Sequence, residues 1–424
     1  MLKMTFTNVL FFTLLCSLSI TVFASYPIGT ESIVKEILEK SKDIKSLNNT
    51  LSSKEDLTEA EKKYFYPKAD LIVEYNDFYG ELEPTLDEDA ELTLSLTSKL
   101  YSTASKDKIS TADNNRLSAL YKLKDKEFEL YFTVITQLIS IERSRMFLKE
   151  SNLIRDQMND YINQISNAVY AGISPRSYLR ETQLVKFRFD DVVATVESDI
   201  DNYFTELSLS TGYNVINKNE IGLDSVFLNL IFSELITFDP QEAVSKNLAL
   251  LSKYHEVEGL KYSAGTQFER FKITAFNDTD IGLKSNSTNE SRDVREDSAA
   301  GIRLEYKIFD MQRTKTQSAS YKIYLSETEL LDKEREKIFI QVQQLNEKYS
   351  TAKRKRSSLL EQIQLSKSLI ETQEKEILVD RIEFIDMVKS LSELIQTHVT
   401  LLNNDIQLYE TILTYKSLTA TKFD

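Results

Sequence analysis

Two long stretches of this chain contain no residue that breaks a helix. Neither Gly nor Pro occurs between Tyr101 and Ala171, nor from Met311 to Asp424, in a chain of 424 residues with only 9 Gly and 5 Pro. A stretch of about 70 residues without a breaker would make a helix roughly 100 Å long, and globular helices rarely reach half of that. Both stretches carry a 3.5-residue rhythm. Tyr131, Val134, Leu138, Ile141 and Leu148 take a/d positions in the first. Ile338, Val342, Leu345, Tyr349, Ala352, Leu359, Ile363 and Ile370 take them in the second. Taken alone, these segments read equally well as a plain coiled-coil rod.

What precedes each helix argues for more than a rod. Leu92, Leu94 and Leu96 alternate with Thr93, Ser95 and Thr97. Ala300, Ile302, Leu304, Tyr306 and Ile308 alternate with Gly301, Arg303, Glu305 and Lys307. Alternation of this kind marks a strand with one apolar and one polar face. Each strand has an upstream partner, around Leu71, Val73 and Tyr75, and around Phe271, Ile273 and Ala275.

The two halves superpose at a shift of 208 residues, Leu92 onto Ala300 and Leu100 onto Ile308. The shift still holds far downstream, where Val134 meets Val342, Ile141 meets Tyr349 and Gly172 meets Asp380. The chain therefore reads as a tandem repeat, each copy a helix, two strands, a very long helix, a tip and a returning helix. The first repeat is expected over 25–213, with strands at 68–78 and 90–101 and a tip near 170–176. A linker follows over 214–240. The second repeat occupies 241–424, with strands at 268–277 and 298–309 and a tip near 378–384.

Residues 1–24 read as a secretory signal peptide. Lys3 gives the positive start, Val9 to Ile20 the apolar run, and Val22-Phe23-Ala24 the cleavage site before Ser25. The apolar run is too short to span a bilayer as a helix. Cys16, the only cysteine, lies inside this segment, and the bulky Leu15 before it argues against a lipid anchor. No disulfide framework and no thiol metal site are expected.

The net charge of -14 argues against nucleic acid. No phosphate loop, nucleophile elbow or His pair at metal spacing appears. His255 and His398 lie far apart in helical sequence and read as packing or surface residues. Neither catalysis, metal nor cofactor is expected.

The strands have the length of tilted transmembrane strands. A strand in lipid must belong to a closed barrel, and known barrels start at about eight strands. Four strands per chain would therefore have to share a barrel with other chains. The other reading is four strands of a small soluble sheet.

Ala171-Gly172-Ile173-Ser174 followed by Leu179, Tyr306-Lys307-Ile308-Phe309-Asp310, and Tyr66-Pro67 before the first strand resemble the hairpin tip and helix–strand junctions of the TolC-like outer membrane factors. The resemblance covers essentially the whole mature chain. It implies an α+β membrane protein and a homotrimer. Long antiparallel helices would form a coiled-coil tunnel, and the chain would give four strands to a shared 12-stranded barrel. It also implies a Gram-negative outer membrane location with the tunnel in the periplasm. The implied partners are a periplasmic adaptor and an inner-membrane transporter, serving drug efflux or type I secretion.

On this resemblance Ala171, Gly172, Ile173, Ser174, Asp380 and Arg381 would meet the adaptor at the tips, with Asp380 standing where the family often has Gly. Asp386 matches the first of two acidic residues that ring the closed end in relatives, and Lys389 stands at the second position. Glu383, one turn before Asp386, would supply a second layer. Lys389 would pair with Asp386 or Glu383. The other reading of these charges is a solvated helix face. Leu92, Leu94, Leu96, Ile302 and Leu304 would face lipid, with Thr93 and Ser95 on the lumen side. The polar segments Gly80–Asp89 and Asn277–Asp297 would be extracellular loops. The competing function is a periplasmic adaptor or structural rod without a barrel.

Overall fold

The computed structural model describes residues 30–78, 87–211, 236–266, 269–285, 292–308, 310–377 and 384–421. The signal segment and nearly all of the 214–240 linker lie outside these residues.

Helices α1 (Thr30–Lys40) and α2 (Lys42–Lys62) lead into strands β1 (Lys68–Phe78) and β2 (Asp87–Ser102). Helix α3 (Thr103–Tyr170) follows without a gap, and α4 (Arg176–Thr211) returns. The second half repeats the order: α5 (Pro240–Lys246), α6 (Leu248–Thr266), β3 (Phe271–Ser285), β4 (Arg292–Tyr306), α7 (Met311–Ile377) and α8 (Phe384–Leu418). The two breaker-free stretches are the 68-residue α3 and, in the second, the 67-residue α7 followed by α8. Pro67 ends the α2 turn, since a residue before Pro is pushed out of the helical region. Asp310 opens α7 by accepting the Arg313 backbone N–H at 3.0 Å, a normal cap.

The four strands form one antiparallel sheet in the order β1-β2-β3-β4. The repeats thus meet along the β2–β3 ladder, whose register shifts between Lys99 and Tyr101. Strands β3 and β4 pair from Phe271↔Tyr306 to Ser285↔Arg292. This corrects one expectation. Most of Asn277–Asp297 is strand rather than loop, because its polar residues keep a partner across the hairpin.

The chain divides into two compact units. One takes the described residues up to Lys42, 127–211 and 236–245, and 340 onward; the other takes 43–126 and 246–339. The first is helical with an apolar core. Val134, Leu138 and Ile141 of α3 are fully buried, as are Phe189 of α4 and Val342 of α7. Met387, Val388 and Ile395 of α8 join them. Each such side chain stabilises by about 1.5–3 kcal/mol relative to exposure. Of the heptad positions read from the sequence, Tyr131, Val134, Leu138, Ile141, Val342, Leu345, Ala352, Leu359, Ile363 and Ile370 are buried, while Leu148, Ile338 and Tyr349 are half-buried.

Helix α8 is buried on more than one face, and it carries a charge inward. Asp405, 0% exposed, sits between Arg143 of α3 and Arg356 of α7, the latter 2.8 Å away. His398, nearly buried, places Nδ1 2.9 Å from Glu150 Oε2.

The second unit holds the sheet, α2, α6 and the adjoining parts of α3 and α7. His255 stacks on Tyr121 at 5.4 Å, and its Nδ1 is 2.9 Å from Asn114 Oδ1. Both histidines therefore have packing partners. Among the described residues, no helix is long and apolar enough to cross a membrane, and no His/Cys/Asp/Glu group has the arrangement of a metal site.

Candidate functional site

The α3–α4 connection is a tight turn built from local hydrogen bonds. The Ile173 N–H donates to Ala168 O at 2.9 Å and the Gly172 N–H to Val169 O at 3.1 Å. That pair of bonds is a Schellman ending, which needs a left-handed residue at its centre. Gly172 supplies it with φ of 76°, and a Cβ there would meet nothing within 4 Å. Pro175 then precedes α4, where a missing N–H costs nothing. The turn pushes apolar side chains outward: Tyr170 is 85% and Ile173 80% exposed. Ala171 and Ser174 complete it, Ser174 donating its N–H to Ala168 O.

The second tip cannot be drawn in the same way. Asp380, Arg381 and Glu383 lie outside the described residues. Asp386 lies in the first turn of α8, where a carboxylate complements the helix dipole. Lys389 does not pair with Asp386. Its Nζ lies 2.8 Å from Glu181 Oε1 of α4, and that bond holds the ammonium above its ordinary pKa. The exposed pair joins the returning helices of the two hairpins and contributes little stability by itself.

A second cross-hairpin bond escaped the sequence reading. Tyr161 of α3 donates its hydroxyl to Glu374 Oε1 of α7 at 2.7 Å. Burial first, and then this bond, push the phenol well above its ordinary pKa, so it stays a donor. Tyr161 and Glu374 sit close to the ends of their helices and clasp the two hairpins. Neither is unusual in sequence, which is why spacing alone did not reveal them.

The sheet has two chemically opposite faces. Directly paired residues share a face. Leu71↔Leu94, Val73↔Leu92 and Ala69↔Leu96 therefore stand together, as do Ile273↔Leu304 and Ala275↔Ile302. Much of this face is bare: Leu71 is 64%, Val73 69%, Ile302 71% and Leu304 62% exposed. Leu94 and Leu96 are also exposed, and Leu92 is half-buried. The apolar band does not follow one register row. The row of Leu71 and Leu94 continues into Thr279 and Ser298. On β3 and β4 the apolar residues lie nearer the helix ends, at Ile273, Ile302 and Leu304. An oblique band is what strands tilted in a barrel require.

The opposite face is mainly polar, with Ile72 and Phe276 among its few apolar residues. Lys68, Asp70, Thr93, Ser95, Lys99, Lys272, Asp278 and Arg303 lie on it. Ser95 donates to Asp278 at 2.6 Å, and Lys272 pairs with Glu305 at 3.5 Å.

The sequence matches no family model and no curated protein. Solved structures do match. The outer-membrane channel OprN is 10% identical with a TM-score of 0.74, over 94% of this chain and 91% of that one. The outer membrane protein VceC of Vibrio cholerae is 10% identical with a TM-score of 0.74, over 93% and 97%. The MtrE outer membrane channel of Neisseria gonorrhoeae, in its open state, is 10% identical with a TM-score of 0.71, over 92% and 89%. At such identity the likeness establishes the fold: helical hairpins and a four-stranded sheet in two tandem repeats, as in these outer-membrane channels.

Proposed function

We propose that three copies of this chain assemble an exit duct in a Gram-negative outer membrane. Twelve strands close one barrel, and the long helices line a periplasmic tunnel. The duct is a passive conduit without chemistry of its own. The tip around Tyr170–Ser174 meets a periplasmic adaptor, which links it to an inner-membrane transporter for drug efflux or protein secretion.

The observation that carries this reading is the bare apolar face of the sheet. In water, a contiguous patch with Leu71, Val73, Leu94, Ile302 and Leu304 would aggregate. So would the free edges of β1 and β4. Both problems vanish if the face meets lipid and the edges pair between copies. A periplasmic rod or adaptor would leave both unsolved. The fold shared with outer-membrane channels supports the same reading.

The experiment is fractionation followed by mass measurement in detergent. The duct requires detergent for extraction and has the mass of a trimer. A monomer released with the soluble periplasm would overturn it. Asp386 near the closed end belongs to the same proposal. Three copies around one axis favour cations. Asp386→Ala then raises leak conductance and weakens cation preference in a planar bilayer. Unchanged single-channel currents for both Asp386→Ala and Glu383→Ala would make these residues an ordinary solvated face.

A further inference from the structure

The polar face of the sheet is not uniform. At its helix-proximal end the charges are mainly positive: Lys68, Lys99, Lys272 and Arg303, with Glu305 among them. The next rows are acidic. Asp70 pairs with Ser95, which pairs with Asp278, and Asp280 pairs with Asp297. A cationic patch bounded by an acidic one is a local feature, not a consequence of overall charge, since the chain is acidic.

The cations surround a cavity of about 140 Å³, several times the ~30 Å³ of a liquid water. Tyr64 and Tyr66, from the turn before β1, close one side. That turn is fastened to the sheet, because Ser98 donates its hydroxyl to Phe65 O at 2.6 Å. Arg303 is aimed by stacking over the Phe276 ring, 5.0 Å from its centre. Gly301 permits this. A Cβ there would stand 3.2 Å from Phe276.

Among the described residues, only Lys272 of the four has a carboxylate at ion-pair distance, Glu305. Lys99 also feels Glu269, beyond the strand. Burial pushes the Glu269 carboxyl up, but the Ser102 hydroxyl and the nearby Lys99, Lys272 and Lys108 outweigh it. One carboxylate among four lining cations leaves positive charge unmatched. An independent observation points the same way. Thr274, only 8% exposed, lines the cavity, and its hydroxyl has no hydrogen-bond partner among the described residues. A buried hydroxyl without a partner is costly, and an oxyanion held by the surrounding cations would accept its hydrogen.

We propose that this cavity binds a phosphate- or sulfate-type oxyanion, held by Lys68, Lys99 and Arg303, with Thr274 donating a hydrogen bond. Glu305 competes with the ligand for Lys272 and limits affinity. All these residues belong to one chain, so the site stands whether or not three chains close a barrel. On the duct reading, three copies would line one passage and hand anionic solutes across it.

The test is calorimetric titration of the detergent-purified full chain at low ionic strength, where charge interactions are least screened. The probes are inorganic phosphate, sulfate and glycerol phosphate. Saturable binding is expected. Lys99→Gln and Arg303→Gln should each weaken it about tenfold, the loss of one charge-assisted hydrogen bond. Thr274→Val should weaken it less. Glu305→Gln should tighten it. Preference for glycerol phosphate supports an esterified ligand, and preference for inorganic phosphate supports the free ion. No saturable heat from wild type, or one affinity shared by all four variants, would overturn the site. Thermal melting of each variant separates lost binding from lost folding. Binding that survives in a chain failing to form trimers would count against the duct alone.

Discussion

The helical unit and the sheet obey opposite rules. In the helical unit Val134, Leu138, Val342 and Ile395 are fully buried, and charges lie outside or in satisfied pairs such as Arg356–Asp405. In the sheet Leu71, Val73, Ile302 and Leu304 are bare, and Lys68, Asp70, Lys99, Lys272, Asp278 and Arg303 share the other face. Water explains the helices, where apolar burial drives packing. Water alone does not explain the bare face of the sheet; the proposed barrel wall, with that face in lipid, does.

The comparison can be broken most severely in the helical unit. Asp405→Ala leaves the Arg143 and Arg356 guanidiniums without their shared buried partner. Removing one member of such a group costs about 3–5 kcal/mol. Circular dichroism through a denaturant titration should show that loss, and a change under 1 kcal/mol would mean the arginines find water instead.

The sheet comes next. An Arg on a lipid-facing strand position costs about 2–4 kcal/mol near the midplane. Leu94→Arg should reduce folded trimer in vesicles, while Ser95→Arg, on the polar face, should assemble nearly normally. Equal yields of the two would erase the distinction between the faces.

The clasp between hairpins is smaller. Tyr161→Phe removes one hydrogen bond to Glu374, worth about 1 kcal/mol, and should raise leak conductance in a planar bilayer with little loss of melting temperature. An unchanged leak would make the clasp a bystander.

The smallest effect sharpens the helical side. Burial, then the nearby Glu206, raises the Glu410 carboxyl above its ordinary pKa. A raised carboxylate pKa means the folded state holds the proton longer than the unfolded state. Glu410 therefore costs stability at neutral pH and regains it as pH falls into the window above the ordinary carboxylate range. Glu410→Gln should melt slightly higher than wild type at neutral pH, with the gap closing on acidification. A gap that widens at low pH would contradict the sign.

The helices were legible because a 3.5-residue rhythm survives over many turns without a breaker. Val134, Leu138 and Val342 sit where that rhythm puts them. The two-faced strands were legible because alternation is a local pattern, visible at Leu92 to Thr97. The repeat shift carried the likeness of the two halves, but not the β2–β3 ladder that joins them. The β3–β4 hairpin was under-read, because Asn277 to Asp297 is mostly polar, and Ile281, Leu283 and Val294 alone leave periodicity little contrast. Lys389 meets Glu181 rather than Asp386, a partner distant in sequence where local spacing favours neighbours; the Glu383 alternative lies outside the described residues. Asp405 was missed for the same reason, although a carboxylate between Leu402 and Tyr409 on an apolar helix was a visible anomaly. The cationic cavity joins residues from four strands, so register had to be known first.

The most direct test of the account uses the absence of tryptophan from the chain. A single Trp is placed at Leu94 in one protein and at Ser95 in another, and both are folded into vesicles with brominated acyl chains. The account predicts strong quenching and blue-shifted emission for Leu94→Trp, and weak quenching with water-like emission for Ser95→Trp. Equal quenching of the two, or none for Leu94→Trp, would contradict the claim that the bare face of the sheet meets lipid.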